Sequence, residues 1–436
     1  MRVRTLITGF LASTVALTGC AMGGAPAPSA APSLDTASTP ATGEITVWSW
    51  DVAATALKRL GSAYEKSHPG TTISVVDVGY DNAYDKISVG LQASTGLPDL
   101  ITVETERLPG YLEAFPQGFV DLSGRIEPEK ANLDPSKLAA ATSADGKILA
   151  MPWDSGTMAL YLRSDYLKDA GVDPASLTTW DAFATAAEQV KAKTGKTAFD
   201  TDLSTGAMFL QLLQQQGIGI FDGNGKVALE NDQSVATLTL LQNLQSKGLI
   251  NNTKGWDARV SSAKAGKSAF SPNAVWWSGT LKSEAPELKG KWSVQPLPVF
   301  AAGGAATSNN GGSNLAVPAQ AKNAGLAADF AAFALLNADN QNEMMAKEGL
   351  FPSYLPALAS PVYSEPDPYF GGQPAMRVFA DLTSTIPAIS YTGDFAKASE
   401  IVANATVEAI LNGKDARTAL HDAAASIAKQ TNRELG

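Results

Sequence analysis

The chain is short of the residues that metal centres and many catalytic sites are made from: its 436 residues include one cysteine and two histidines. A single cysteine, Cys20, excludes an internal disulfide framework and a thiolate-rich metal site. The histidines, His68 and His421, are remote in sequence and fall at helix surfaces, so neither a metal site nor a Ser-His pair is expected. No Gly-x-Ser-x-Gly elbow occurs. Gly266-Lys267-Ser268 ends like a phosphate-binding loop, but Ser261 stands where the first glycine belongs. Asp222-Gly223-Asn224-Gly225 starts like a calcium loop, lacks the later ligands, and reads as a hairpin turn. No cofactor is therefore implied. Positive charge is scarce as well, 33 Lys and Arg against 43 Asp and Glu for a net −10. That balance argues against nucleic acid or an acidic lipid surface as partner. Beyond the first twenty residues no run approaches the roughly 18 apolar residues of a membrane helix.

The N-terminus is of a different kind. Arg2 and Arg4 precede an apolar stretch, Leu6 to Leu17, too short to span a bilayer, as in an export signal. It ends Leu17-Thr18-Gly19-Cys20, which resembles a bacterial lipobox. Residues 1–19 are thus expected to be a lipoprotein signal peptide, with Cys20 lipidated; an ordinary signal peptide is the alternative. Residues 20–43, rich in Ala, Pro, Ser, Thr and Gly, cannot bury a core and read as a tether. About 390 residues remain, enough for two domains.

In the body, strands alternate with helices on short connections, the pattern of an α/β sheet. Glu44 to Trp48, Thr71 to Val78 and Asp99 to Val103 read as strands. Helices between them carry Ala53, Leu57, Leu60 and Tyr64, and then Tyr84, Ile87 and Leu91, with Asp51 as an N-cap of the first. Lys147 to Met151 is a strand end that Pro152 stops, because proline has no N–H. Trp153-Asp154-Ser155-Gly156 follows, then an apolar strand, Met158 to Leu162. This joint is too irregular for a hairpin and reads as the chain leaving one lobe for another. Further on, Thr179 caps a helix with Trp180, Phe183 and Val190. Met208 to Leu213 and Val235 to Leu244 are amphipathic helices. Ser268 to Trp276 and Trp292 to Leu297 are strands. Ala301 to Asn314 has no periodicity and reads as a flexible loop before a strand at Leu315 to Val317. Apolar helices follow at Asp329 to Leu336 and after Asp415.

Taken in order, ITVWSWD at 45–51, GLPDLITVETERLPGYLEAF at 96–115, DGKILAMPWDSGTMALYLRSDYLKDAG at 145–171, TTWDAF at 178–183, AGKSAFSPNAVWWSG at 265–279 and GGSNLAVP at 311–318 resemble a family. It is that of the extracellular solute-binding proteins of ABC importers, of the carbohydrate-binding type related to maltose-binding protein. The resemblance implies an α/β fold of two lobes joined by crossover hinge strands, with the ligand cleft between them. It implies residues 44–154 plus 312–352 in an N-terminal lobe and 155–311 plus 353–436 in a C-terminal lobe. The first crossover falls at Trp153 to Thr157, the return at Gly311 to Asn314, and a third crossing near Phe351 to Tyr354. Function follows from the same resemblance: an exported, lipid-anchored, monomeric, non-enzymatic protein on the outer face of the cell membrane. It would capture a di- or oligosaccharide by hinge closure and deliver it to transmembrane permease subunits. Maltose-binding protein carries a glutamate where Gly156 stands here, which leaves the sugar open.

A sugar binder needs flat aromatic faces for C–H surfaces and carboxylates, amides or Arg for hydroxyls. The resemblance places ligand contacts at Trp50, Asp51, Glu104, Glu106, Arg107, Trp153 and Asp154. In the far lobe it adds Trp276, Trp277 and the turn bearing Tyr391. Tyr80 and Asp81 lie on a strand-to-helix loop at the rim, and Gly312, Ser313 and Asn314 on the return crossover. Trp276 and Trp277 leave a strand side by side, so alternation sends one to the cleft and one to the core; Trp276 is expected in the cleft. Its removal is then expected to abolish binding with little change in thermal stability. Trp48, Trp180 and Trp292 read as packing. Two alternatives stay open: the same transport role with a polyamine, glycerophosphodiester or oxyanion, and a secreted glycoside hydrolase. The hydrolase needs two carboxylates ~5–9 Å apart, and nothing in the sequence fixes such a pair.

Overall fold

The structure, a computed structural model, describes Leu34 and residues 42–436 except Ala144, with Tyr80 and Asp81 described in backbone only. The signal segment and Cys20 lie outside the described residues. The strands are β1 (Gly43–Ser49), β2 (Thr71–Asp77), β3 (Leu100–Glu104), β4 (Met151–Pro152), β5 (Met158–Arg163), β6 (Phe199–Thr201), β7 (Ile250–Asn252), β8 (Phe270–Ala274), β9 (Trp292–Gln295) and β10 (Ser313–Ala316). They form a five-stranded sheet in the order β2-β1-β3-β10-β4, a three-stranded sheet β8-β5-β9, and a parallel pair β6-β7.

In the larger sheet β1 is parallel to β2 and β3, while β10 runs antiparallel to β3 and β4. The alternation in β1 does its work here: Ile45 and Val47 are buried between half-buried Thr46 and Trp48. Helix Asp51–Ser67 lays Leu57, Leu60 and Tyr64 on the sheet; each Leu stabilises by about 2 kcal/mol. Strands β5, β8 and β10 are buried at every position, as expected of strands covered on both faces. Residues 45–153, 315–350 and Tyr354 supply the core around this sheet. A second set of cores draws on residues 158–297, on Phe351 and on residues 358–427. The fold is thus mixed α/β with two lobes.

Several local expectations are corrected. Trp50, not Asp51, occupies the N-cap of helix Asp51–Ser67, and no side chain caps it. Asp51 instead opens the helix with φ +45. The strand expected from Lys147 shrinks to the two residues of edge strand β4, and its ladder ends on Pro152 itself, opposite Asn314, where a missing N–H is tolerated. Strand β8 stops at Ala274, and Trp276 is already the N-cap of helix Trp277–Glu284, so strand alternation does not govern the two tryptophans. The segment read as a flexible loop is ordered in its second half. Thr307 and Ser308 are fully buried, and Asn309 pairs with Thr157. By contrast Thr179 and Asp415 cap helices as their sequence positions suggest, accepting from Ala182 N and Thr418 N.

Candidate ligand-binding cleft

Three chain segments pass between the two sets of cores, and one of them is hydrogen-bonded to each of the other two. Residues 153–157 are central. On one side Asn310 N donates to Gly156 O at 2.8 Å, Gly156 N donates to Asn309 Oδ1 at 3.0 Å and Met158 N to Ser308 O at 2.9 Å. On the other side Asp154 pairs with Pro352, Ser155 N donates to Phe351 O at 2.8 Å and Ser353 N to Trp153 O at 3.0 Å. Glycine is required at the closest approach. A Cβ on Gly156 would stand 2.2 Å from Asn310 O, and one on Gly312, at φ +93, 2.5 Å from Asp154 O. A side chain such as glutamate has no room at Gly156 in this crossing.

Two groups expected to face ligand serve this joint instead. Trp153 is fully buried in the first-lobe core, with Nε1 3.3 Å from Met344 Sδ; its large apolar ring fills that core rather than the gap. Asp154 is buried, and Oδ1 accepts from Ser313 N at 2.8 Å, tying the outgoing crossover to the returning one. Burial raises its pKa, and the Lys137 ammonium opposes that rise. Lys137, which sequence reasoning missed, is buried and donates to Thr105 Oγ1. Its pKa is pushed down to about 8 by burial, against the attraction of Asp154, Asp134 and Glu104. Nothing in the sequence hinted at it, because a lysine in the short helix Pro135–Ala140 reads as solvated. Gly312, Ser313 and Asn314 are buried in the return crossover. Asn314 Nδ2 donates to Val103 O at 3.3 Å, and its Oδ1 has no partner among the described residues.

The first-lobe wall follows the C-terminal end of β3. Glu104 accepts from the Tyr84 hydroxyl at 2.8 Å, and the Arg107 guanidinium lies 5.0 Å from the same Tyr84 ring. Trp50 tilts on Tyr84 at 5.7 Å and is largely covered. Glu106 is half-buried; desolvation first, and then the Glu104 charge, raise its pKa to about 7, while Arg107 draws it back. Across the gap, the Tyr391 hydroxyl is held well above its usual range by burial and by the Glu106 charge. Tyr391 itself packs edge-on to Phe395 at 4.8 Å. Tyr391 also lines a cavity of about 330 Å³, with Pro109 and Ala140 from the first lobe and Asp222 and Ser390 from the second. Asp51 is exposed at the end of β1. Tyr80 and Asp81 begin helix Tyr80–Ala93, and their side chains are not among those described.

The two adjacent tryptophans separate by burial. Trp277 is 1% exposed, under the Arg259 guanidinium at 5.2 Å, and belongs to the second-lobe core; this corrects its place among the ligand contacts. Trp276 is half-buried, donates Nε1–H to Asn310 O at 2.9 Å and lies against Gly311 on the return crossover. At the outer rim the lobes meet. Glu113 accepts from Arg433 at 2.8 Å and from Gly393 N, and Arg433 also binds Asp394 at 2.8 Å.

Two lobes are joined by three crossovers, of which the central one is hydrogen-bonded to each of the other two, an arrangement suited to hinge closure around a ligand. Over residues 49–341 the chain matches the family model for bacterial extracellular solute-binding proteins, and it belongs to that family. It is 30% identical over 383 residues to the lactose-binding protein of Rhizobium radiobacter, covering 85% of this chain and 89% of that one. It is 30% identical over 349 residues to the arabinooligosaccharide-binding protein of Bacillus subtilis (strain 168), covering 78% and 80%. The ABC transporter associated binding protein from B. animalis subsp. lactis Bl-04, solved with beta-1,6-galactobiose, has the same fold. Its TM-score is 0.75 at 23% identity, over 91% of this chain and 100% of that one. The family consists of binding proteins, not enzymes.

Proposed function

We propose that this protein is the substrate-binding component of an ABC importer, capturing a di- or oligosaccharide by lobe closure and passing it to the membrane permease. The observation that carries the reading is the composition of the two facing walls. Glu106, with Glu104 and Arg107 beside it, acts on Tyr391, and half-buried Trp276 is fixed at the crossover. An aromatic face with charged acceptors and donors suits a ring that is apolar above and below and hydroxylated at its edge. The Nε–H of Arg107, without a partner among the described residues, gains one from a sugar hydroxyl. The relatives' names, lactose- and arabinooligosaccharide-binding, support the same ligand class.

Closure works because a ligand touching both walls stabilises only the state in which they are close. In this reading the first lobe is 44–154 plus 312–352 and the second 155–311 plus 353–436, hinged on the crossovers. Ligand contacts are Glu104, Glu106, Arg107, Asp51 and Trp50 on one side and Trp276 and Tyr391 on the other. Export and a lipid anchor on Cys20 follow from the lipobox-like Leu17-Thr18-Gly19-Cys20, and the comparable Streptococcus pneumoniae protein is named a solute-binding lipoprotein. The protein acts as a monomer. Calorimetric titration with sugars, with product analysis by chromatography, tests the reading: saturable binding with the sugar recovered intact supports it. Cleavage of the sugar would favour a hydrolase.

A further inference from the structure

Among the described side chains Trp256 is the only exposed Phe, Tyr or Trp, 50% accessible, at the start of helix Gly255–Lys264. It is not isolated. Its ring centroid lies 5.8 Å from Trp276 at 47° and 5.7 Å from Trp277 at 84°. The three indoles thus grade from buried Trp277 through half-buried Trp276 to exposed Trp256. Trp276 is anchored at the crossover, so the series runs outward from the hinge.

Topology sets the side on which Trp256 emerges. Strands β6 and β7 are parallel, and Thr197 pairs parallel with Ser268 just before β8. All three therefore end on the same edge. β8 pairs antiparallel with β5 in register Met158 to Ala274, so that edge is where β5 leaves the crossover. In open α/β sheets ligands lie outside the carboxyl ends of such strands. Trp276 follows β8 and Trp256 follows β7 on this edge. The loop after β6 fixes the position: Asp202 accepts from Gly255 N at 3.0 Å and from Ser204 N at 2.9 Å.

We infer that Trp256 is an outer stacking platform, beyond Trp276, for an additional sugar ring of an oligosaccharide that extends out of the cleft. The inference rests on the carbohydrate reading and deepens it, making the preferred ligand longer than the cleft itself holds. A disaccharide reaches Trp276; a third or fourth ring lies against Trp256. The exposed Asp257 and Ser204 nearby offer acceptors and a donor for the hydroxyls of that ring.

The test is calorimetric titration of wild type, Trp256→Ala and Trp256→Phe with three series of two to five units: malto-, arabino- and galacto-oligosaccharides. In the series that wild type binds, Trp256→Ala is expected to lose about tenfold or more in affinity for the longer members while the disaccharide changes less than twofold. Trp256→Phe, which keeps a flat ring and the packing on Trp276, is expected to recover most of the loss. Equal affinities of Trp256→Ala and wild type at every length would overturn the inference and leave the functional reading standing. So would a uniform loss that includes the disaccharide, or a wild type that refuses the longer members. A wild type that binds no sugar in any series would overturn the carbohydrate reading itself, and this inference with it.

Discussion

Gly156→Ala puts the crossover geometry to the sharpest test. The added methyl would sit 2.2 Å from Asn310 O and 2.5 Å from its carbonyl carbon, where no flexible side chain can yield. The two crossover segments must separate by roughly 1 Å, because ordinary contacts begin near 3.4 Å. That separation loosens two hydrogen bonds, Asn310 N to Gly156 O and Gly156 N to Asn309 Oδ1. Each is worth about 1 kcal/mol, and forced overpacking adds roughly 1–3 kcal/mol. Removing a glycine from the unfolded chain returns about 0.4–1 kcal/mol. The net cost is about 3 kcal/mol, a Tm lower by roughly 3–4 °C for a chain of this length, read by differential scanning calorimetry. Gly279→Ala is the control: it lies in helix Trp277–Glu284 with nothing within 4 Å of a new Cβ. Its Tm should hold or rise by about 1 °C. Gly156→Ala melting with wild type would refute the close crossing of the lobes' connections.

Other outcomes follow from the same geometry. Trp276→Ala should abolish sugar binding, yet also lower the Tm by several degrees. The indole has a hydrogen bond to Asn310 and two ring neighbours to lose, so the expectation of an unaffected fold is withdrawn; circular dichroism melts decide it. Glu106 titrates at about 7 in the folded chain against 4.5 as a free carboxyl. Because its folded pKa is raised, its contribution is full below pH 4.5 and is lost as pH rises through 7. Solvent on one side of the carboxyl limits the change to about 1–2 kcal/mol. Glu106→Gln should flatten the stability–pH curve by that amount between pH 4.5 and 7, measured by denaturant titration. Glu113→Gln removes an ionic contact to Arg433 across the rim, worth about 0.5–1 kcal/mol. Apparent sugar affinity should weaken two- to fivefold, with a larger radius of gyration for the unliganded protein by small-angle scattering.

Much of the fold was legible because it rests on local signals. Alternation in β1, the Leu57-Leu60-Tyr64 stripe and the caps at Thr179 and Asp415 depend on neighbours in sequence. The larger pattern, the order of motifs along the chain, was legible through resemblance. The site was only partly readable, because its residues are sorted by long-range contacts. Trp153, Asp154 and Trp277 carry sugar-binding chemistry, but which surface they meet is fixed by Met344, Ser313 and Arg259. Lys137 is buried by parts of the chain that follow it in sequence, Asp154 and Gly312 among them. Residues 307–314 lack periodicity because their order comes from pairing with residues 156–158, not from a repeating apolar face. Trp256 gave no signal in the sequence, because the short strand before it was not legible, and its meaning emerged only once Trp276 stood beside it.

The most direct measurement is a thermal-shift screen of the purified protein against mono- and oligosaccharides, with polyamines, glycerophosphodiesters and oxyanions alongside. A ligand at a thousand times its Kd stabilises by about 4 kcal/mol, several degrees in Tm for a chain of this length. The account predicts such a rise with one class of oligosaccharide and none with the other panels. A rise with a polyamine or an oxyanion and silence across every sugar would contradict it.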